Sequence, residues 1–316
     1  MRNKPIILVA GEPYSIFFEI FFKSIKINFK SPIILICSKD ILIKQLKKFK
    51  CKKKIRDIDY LDFRNINLNN QKINLINVKL KNINIKKYKS EYIEKCFNIA
   101  FFLIKKKYTY KLINGPIEKE VFLKKKFLGV TEYISKKHKI NKSGMLIFNE
   151  NLSVCPLTTH LPLKLVSKNI TKDKIEQKIR LIDTFFKEKL NYAPKIAVTG
   201  LNPHCESILK INEDEKIVSK AIKSQKKKGI KVNGPFPADT IFLKKNRIKY
   251  NVILGMYHDQ VLTPFKALFE FDAINVTMGL PFLRVTPDHG PNKKMVGKNI
   301  SSPISLIKAL KFLDKN

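Results

Sequence analysis

The first thirty-eight residues already confine this chain to a small set of architectures. PIILVAG (5–11) is a β-branched run that stops at a glycine, SIFFEIFFKSIKINF (15–29) has apolar residues at helical spacing, and SPIILICS (31–38) is strand-like again. Strand, helix and strand in that order predict a βαβ unit with a parallel sheet. Glu19, Lys23 and Lys26 interrupt the middle segment, so it reads as an amphipathic helix and not as a membrane span.

The same alternation returns along the chain. YIEKCFNIAFFLIKKK (92–107) has helical periodicity and YTYKLING (108–115) reads as a strand that reaches a Gly-Pro loop. MLIFNENLSVCPLTTH (145–160) holds two short strands joined by an Asn-Glu-Asn turn. In TKDKIEQKIRLIDTFFKEKL (171–190), Thr171 is placed to cap a helix whose Ile175, Ile179, Ile182 and Phe186 share one face. PKIAVTGLNPH (194–204) and YNVILGMYHDQ (250–260) read as buried strands that run into loops. Between them, EDEKIVSKAIKSQKKKG (213–229) is a helix with acidic residues at its start and Gly229 at its end, matching the macrodipole. PISLIKALKFL (303–313) forms a last apolar-faced helix. Residues 50–95, biased towards Asn, Ile and Lys, carry too little contrast for firm assignment.

Chemically capable clusters follow the strand-like runs: GEP, NGPIEK, TTH, NPH, YHDQ and NVTMGLPFLR. In open α/β sheets ligands bind at the carboxyl ends of the strands, so these loops could converge on one crevice. Three of the five histidines, His160, His204 and His258, end such runs. One histidine at a strand end is ordinarily a hydrogen-bonded loop residue; three at equivalent ends could surround a divalent cation. Neutral imidazole suits zinc and similar metals, and three protein ligands leave positions open for a substrate.

Charge bounds the partners. The 316 residues include 63 Lys and Arg against 26 Asp and Glu, a formal net charge of +37. Such an excess fits a polyanion binder, but the lysines are spread over nearly the whole chain, as expected of solvated faces. No zinc-finger spacing, helix-turn-helix pattern or aromatic RNP-like stretch accompanies them, so neither nucleic acid nor a membrane is the expected partner. Cys37, Cys51, Cys96, Cys155 and Cys205 are odd in number, scattered and without a CxxC pair, which fits reduced thiols. The apolar run in MRNKPIILVAGEP is too short for a signal peptide, and the expected location is the cytoplasm.

LTTHLPLKLV, IAVTGLNPHCE, GPFPADTIF, MYHDQVLTPFKAL and NVTMGLPFLRVTPDHG, in that order, resemble the signature segments of the 4-hydroxythreonine-4-phosphate dehydrogenase family of pyridoxal phosphate biosynthesis. GEP, NGPIEK and GVTEY resemble further family segments; the likeness is dense from about residue 110 to 300 and thin from 30 to 95.

The resemblance implies an α/β fold of two α/β/α domains around a cleft, like isocitrate and isopropylmalate dehydrogenases. Residues 1–135, completed by 285–316, would form one domain, and 136–284 the one carrying the metal-ligand histidines. It implies a homodimer with sites at the interface, in which His160, His204 and His258 hold a divalent metal (Zn, Mg or Co) and His258 serves a neighbour's site. Thr131, Lys266, Asn275 and Arg284 match substrate contacts, and Asp239 and Asp259 match acids near the metal. The implied activity is NAD- or NADP-linked oxidation and decarboxylation of 4-phosphohydroxy-L-threonine. AGEPYSIF lacks the glycines of a GxGxxG fingerprint. DHGPNKKMVGK (288–298) is instead similar to the adenine-binding loop of the isocitrate dehydrogenase group, with His289, Gly290 and Gly297 as retained positions.

The chain departs from the family pattern in its loops. Val130 stands where the family usually has a histidine, Tyr14, Ser15, Ile16 and Phe17 follow GEP, Cys205, Ser207 and Ile208 replace glycines after NPH, and Pro291 and Asn292 replace small residues. A sibling activity on another phosphorylated hydroxy acid stays open, as does a basic nucleic-acid-binding protein on an enzyme scaffold.

Overall fold

The computed structural model describes residues 3–63, 67–123, 127, 129–206, 212–287 and 290–316. The chain forms two compact units, Met1–Ile134 with Leu280–Asn316, and Ser135–Gly279.

The first unit is built on six parallel strands: β1 (Ile6–Val9), β2 (Ile33–Cys37), β3 (Ile55–Asp57), β4 (Ile73–Asn77), β5 (Lys111–Asn114) and β12 (Leu283–Pro287). Their order is β3-β4-β2-β1-β5-β12, with Leu8 opposite Leu35 on one side and Ile113 on the other. Every residue of β1 and β2 is buried, as the continuous apolar runs require of a parallel sheet covered on both faces. The helices of this part are α1 (Phe17–Ser24), α2 (Lys39–Lys48), α3 (Lys86–Lys105), α4 (Lys119–Leu123), α5 (Val130–Lys137) and α12 (Ile304–Lys315). β3, β4 and the start of α3 lie in the 50–95 stretch that the sequence left unassigned.

The expected amphipathic helix forms as α1, but its polar side is covered rather than solvated. Phe17 through Phe22 are all buried, Glu19 included. Glu19 Oε1 accepts from Lys23 Nζ at 2.8 Å and from the Ser301 backbone N–H at 2.6 Å, its Oε2 is buried without a hydrogen-bond partner, and Lys23 also donates to the carbonyls of Asn299 and Ser301. The 299–301 segment therefore covers the polar side of the helix, and a buried carboxylate is tolerated because its partners come with it.

The second unit has the sheet order β11-β6-β7-β10-β8-β9. β6 (Gly144–Phe148), β7 (Ser153–Thr158) and β11 (Ile274–Met278) pair antiparallel, whereas β7, β10 (Val252–Tyr257), β8 (Ile196–Thr199) and β9 (Val232–Phe236) run parallel. Its helices are α6 (Val166–Asn169), α7 (Lys172–Leu190), α8 (Lys220–Lys227), α9 (Ala238–Ile241), α10 (Lys244–Arg247) and α11 (His258–Phe269). Thr171 caps α7 as its sequence predicts, accepting the Lys174 backbone N–H at 3.3 Å, and Ile175, Ile179, Ile182 and Phe186 are buried. The core under α11 joins Val261 and Phe265 to Ile147, Val154, Ala197 and Ile253. Among the described residues no helix is long and apolar enough to cross a membrane.

Candidate active site

β8, β10 and β7 lie side by side and parallel, so the three segments NPH, YHDQ and TTH leave the same edge of the second unit's sheet. His258 is the first residue of α11, directly after β10. His160 follows β7 by two residues, and His204 sits in a short turn, Pro203–Cys205, after β8. Asp239 lies in the one turn of α9 that follows β9, the fourth parallel strand of that edge.

Side chains pin these loops. Gln260 Oε1 accepts from the Met256 N–H at 2.7 Å and from Thr199 Oγ1 at 2.8 Å, and its Nε2 donates to the Gly200 carbonyl at 2.7 Å. Thr158 Oγ1 donates to the Met256 carbonyl at 2.8 Å. Asp214, fully buried, accepts from the N–H groups of Leu201 at 2.6 Å and Asn202 at 3.0 Å, and from Asn202 Nδ2 at 3.0 Å. Asp214 was read in the sequence as a helix-start acid; it begins a wide π-type turn, Asp214–Ser219, and its charge serves the NPH loop. The sequence reading did not foresee the bonds by which Gln260 and Asp214 pin these loops, nor the one that Asn114 makes to Arg284. The only signal these residues gave was position inside or beside the strand-end clusters.

The loop backbone is also strained where it carries the imidazoles. His160 (φ 49), His204 (φ 56) and Cys205 (φ 61) adopt left-handed conformations uncommon for residues with a side chain, and such positions concentrate at functional sites. Gly200 has the space for this packing only because it lacks a Cβ, which would stand 2.6 Å from Cys205 Sγ and 3.0 Å from Asp214 Oδ1. Cys205, where the family pattern has glycine, thus fills the hollow over Gly200. Burial, then the nearby Asp214, pushes its thiol pKa up.

The rings of His160 and His258 have centroids 6.3 Å apart, tilted by 33°. Metal–nitrogen bonds of about 2.1 Å place two imidazoles that share an ion roughly 5–6 Å apart between centroids, so this pair stands at the outer edge of ligand spacing. His258 Nδ1 lies 2.7 Å from Asp259 Oδ1, which leaves Nε2 as its outward nitrogen. Within one copy of the chain His204 does not close onto the pair: among the described residues no three His, Cys, Asp or Glu side chains are grouped to hold a metal ion. By donor chemistry the imidazoles and the carboxylate behind one of them fit a divalent transition metal.

Lys266 lies two turns along α11 from His258, half-buried, with Nζ 5.4 Å from the centre of the Phe271 ring. Burial lowers its pKa from the usual lysine value. Asn275, on β11 opposite Ile147, is half-buried, and its buried Oδ1 has no hydrogen-bond partner.

In the first unit, Arg284 is buried on β12. Its Nε donates to Asn114 Oδ1 at 2.9 Å and its Nη1 to Thr131 Oγ1 at 2.9 Å. Burial lowers the guanidinium pKa to about 10, against the opposing pull of Glu132. The segment expected to hold a dinucleotide is tied to the strand ends here: the Ile16 N–H donates to the Pro291 carbonyl at 3.2 Å and Lys293 pairs with Glu118 at 2.7 Å. Gly290 is exposed, and Gly297 (φ 81) packs so that a Cβ would collide with Lys48 Nζ. His289 lies outside the described residues.

The sequence matches the family described as pyridoxal phosphate biosynthetic protein PdxA over residues 28–313. A 4-hydroxythreonine-4-phosphate dehydrogenase of Sulfurihydrogenibium sp. (strain YO3AOP1) is 41% identical over 206 residues, 64% of this chain and 63% of that protein. One of Bradyrhizobium diazoefficiens is 35% identical over 212 residues, 65% of this chain and 61% of that protein. The chain thus aligns with less than two thirds of the length of either curated relative. A crystal structure of the 4-hydroxythreonine-4-phosphate dehydrogenase of Klebsiella pneumoniae superposes with a TM-score of 0.84 over 98% of both chains, at 26% identity.

Proposed function

The chain belongs to the pyridoxal phosphate biosynthetic protein PdxA family, and from that premise we propose that it is a metal-dependent, NAD- or NADP-linked 4-hydroxythreonine-4-phosphate dehydrogenase. It would oxidise and decarboxylate 4-phosphohydroxy-L-threonine to 3-amino-2-oxopropyl phosphate. The observation that carries this reading is that His160, His204 and His258 follow the adjacent parallel strands β7, β8 and β10 at one sheet edge.

Those histidines would hold a divalent cation such as zinc, with His258 offered to the partner copy in the homodimer that the family resemblance implies. When bound, the metal supplies Lewis-acid polarisation of the substrate's hydroxyl and carbonyl oxygens, and the dinucleotide takes the hydride. The remaining work belongs to the chain. Asp259 holds the His258 ring by its Nδ1, and Asp239 or Asp259 offers a carboxylate oxygen for the hydroxyl proton. The cations of Lys266 and Arg284 suit the phosphate and the carboxylate of such a substrate, and Thr131 and Asn275 add neutral polar contacts. Gly290 and Gly297, with His289, belong to the segment proposed to receive the dinucleotide.

The test is direct. Protein mixed with 4-phosphohydroxy-L-threonine, a divalent metal and NAD or NADP should show the near-ultraviolet absorbance of the reduced cofactor, abolished by EDTA and restored by metal. Protein with bound metal and dinucleotide that gives no turnover on this substrate, but does on another phosphorylated hydroxy acid, would replace this reading with the sibling activity that Val130 leaves open.

A further inference from the structure

β8 and β10 run parallel, with Ile196, Ala197 and Val198 opposite Val252, Ile253 and Leu254, and their pairing stops there. Carried two residues further, the same register would set Gly200 opposite Met256. At that level the side-chain amide of Gln260 stands between the two strands. Its Oε1 accepts the Met256 N–H at 2.7 Å, and its Nε2 donates to the Gly200 carbonyl at 2.7 Å. A planar group with one carbonyl and one N–H is what a peptide unit brings to a parallel ladder. Gln260 therefore supplies the next rung between strands that are parting.

Only an amide in one orientation can do this. Thr199 Oγ1, on a fully buried residue, adds a third bond to Oε1 at 2.8 Å. A flipped amide would set its NH2 against the Met256 N–H and its oxygen against the Gly200 carbonyl, losing both backbone bonds. A glutamate of the same shape accepts at both ends and cannot donate to Gly200. The strand end it holds is fixed on its other sides as well. The Gly200 N–H donates to the Phe236 carbonyl of β9 at 2.9 Å, and buried Asp214 accepts from the N–H groups of Leu201 and Asn202. Gln260 is the third residue of α11 and reaches back over the helix start, much as a capping-box glutamine does. One side chain thus joins the end of β8, which leads to His204, to the end of β10, which leads to His258.

We infer that Gln260 is a positioning residue for the metal site: its amide sets the separation of the strand ends from which His204 and His258 leave. This rests on the proposal that those histidines bind a divalent cation, and deepens it by naming what fixes their loops against each other. The bridge lies within one copy of the chain, so it aims His258 whichever copy's site that imidazole completes.

Zinc affinity, read by competition with a chromophoric chelator beside thermal unfolding of the metal-free protein, tests this on the full chain. Gln260→Glu should bind zinc about tenfold or more weakly, because it cannot bond the Gly200 carbonyl. Gln260→Met, with similar length and neither polar end, should lose at least as much and serves if the charged variant does not fold. Thr171→Ala removes the cap of α7; it should lower the unfolding temperature and keep zinc affinity within about twofold of wild type. A merely structural glutamine would instead give affinities that follow the unfolding temperature across all these variants, and that result overturns the positioning role. If His258→Ala loses zinc while both Gln260 variants bind it as tightly as wild type, the positioning role is wrong and the metal site stands. If wild-type protein binds zinc no better than His258→Ala, the metal site fails and this inference with it.

Discussion

Lys266 is the residue whose environment makes the sharpest statement about pH. It is half-buried beside Phe271, and burial lowers its pKa below that of an ordinary lysine. The ammonium is present below that lowered value and lost as pH rises through it. Substrate affinity should therefore weaken on the alkaline side earlier than a solvent-exposed lysine would allow, seen as a rise in substrate KM with pH. Lys266→Arg, which stays charged, should move that alkaline limb upward; a limb that does not move would remove Lys266 from anion binding. Stability runs the other way. Between the folded and unfolded pKa the unfolded chain binds more protons, so this group favours the fold as pH rises through that window. In the sequence His160, His204 and His258 were singled out because each ends an apolar, strand-like run, and Lys266 only through its place in a segment that resembles the family's. The bonds that Gln260, Asp214 and Asn114 make were not legible, because their partners lie far off in the chain. Gln260 binds Thr199 and Gly200, and Asn114 binds an arginine 170 residues away.

At the scale of elements, the strands were readable wherever a short β-branched run met a sharp polar boundary, as at β1, β2, β7, β8 and β10. β3 and β4 were not, since Asn, Ile and Lys recur around them without a period that separates a buried face from a solvated one. At α1 the helix was legible but the cover over its polar side was not. A carboxylate in a helix signals an exposed side only when nothing folds over it, and the Ser301 backbone does. One junction matters more than the rest, the passage from β10 into α11, because it aims His258. There a Cβ on Gly255 would stand 2.3 Å from Val261 Cγ1 and 3.2 Å from Gln260 Oε1. Gly255→Ala should push the first turn of α11 away from the strand and disturb the Gln260 clamp, at a cost of about 1–3 kcal/mol. The denaturant midpoint should fall at unchanged slope. A midpoint equal to wild type would show that the junction is looser than its packing indicates.

For the whole molecule the largest number, a net charge of +37, says less about activity than the placement of a few side chains. Lysines dispersed over both units build a positive field that favours anionic ligands in general, nucleic acid as well as phosphorylated metabolites. What would separate the proposed enzyme from a basic binding protein is a metal held at the sheet edge that the loops of His160, His204 and His258 leave side by side. Metal content tests that claim most directly. Protein purified without chelators, analysed for bound divalent metal beside His258→Ala, should carry metal in stoichiometric amount, and the variant should lose most of it while keeping its unfolding temperature. Wild-type protein without metal under those conditions, or a His258→Ala variant that retains it fully, would contradict the metal site and the chemistry built on it.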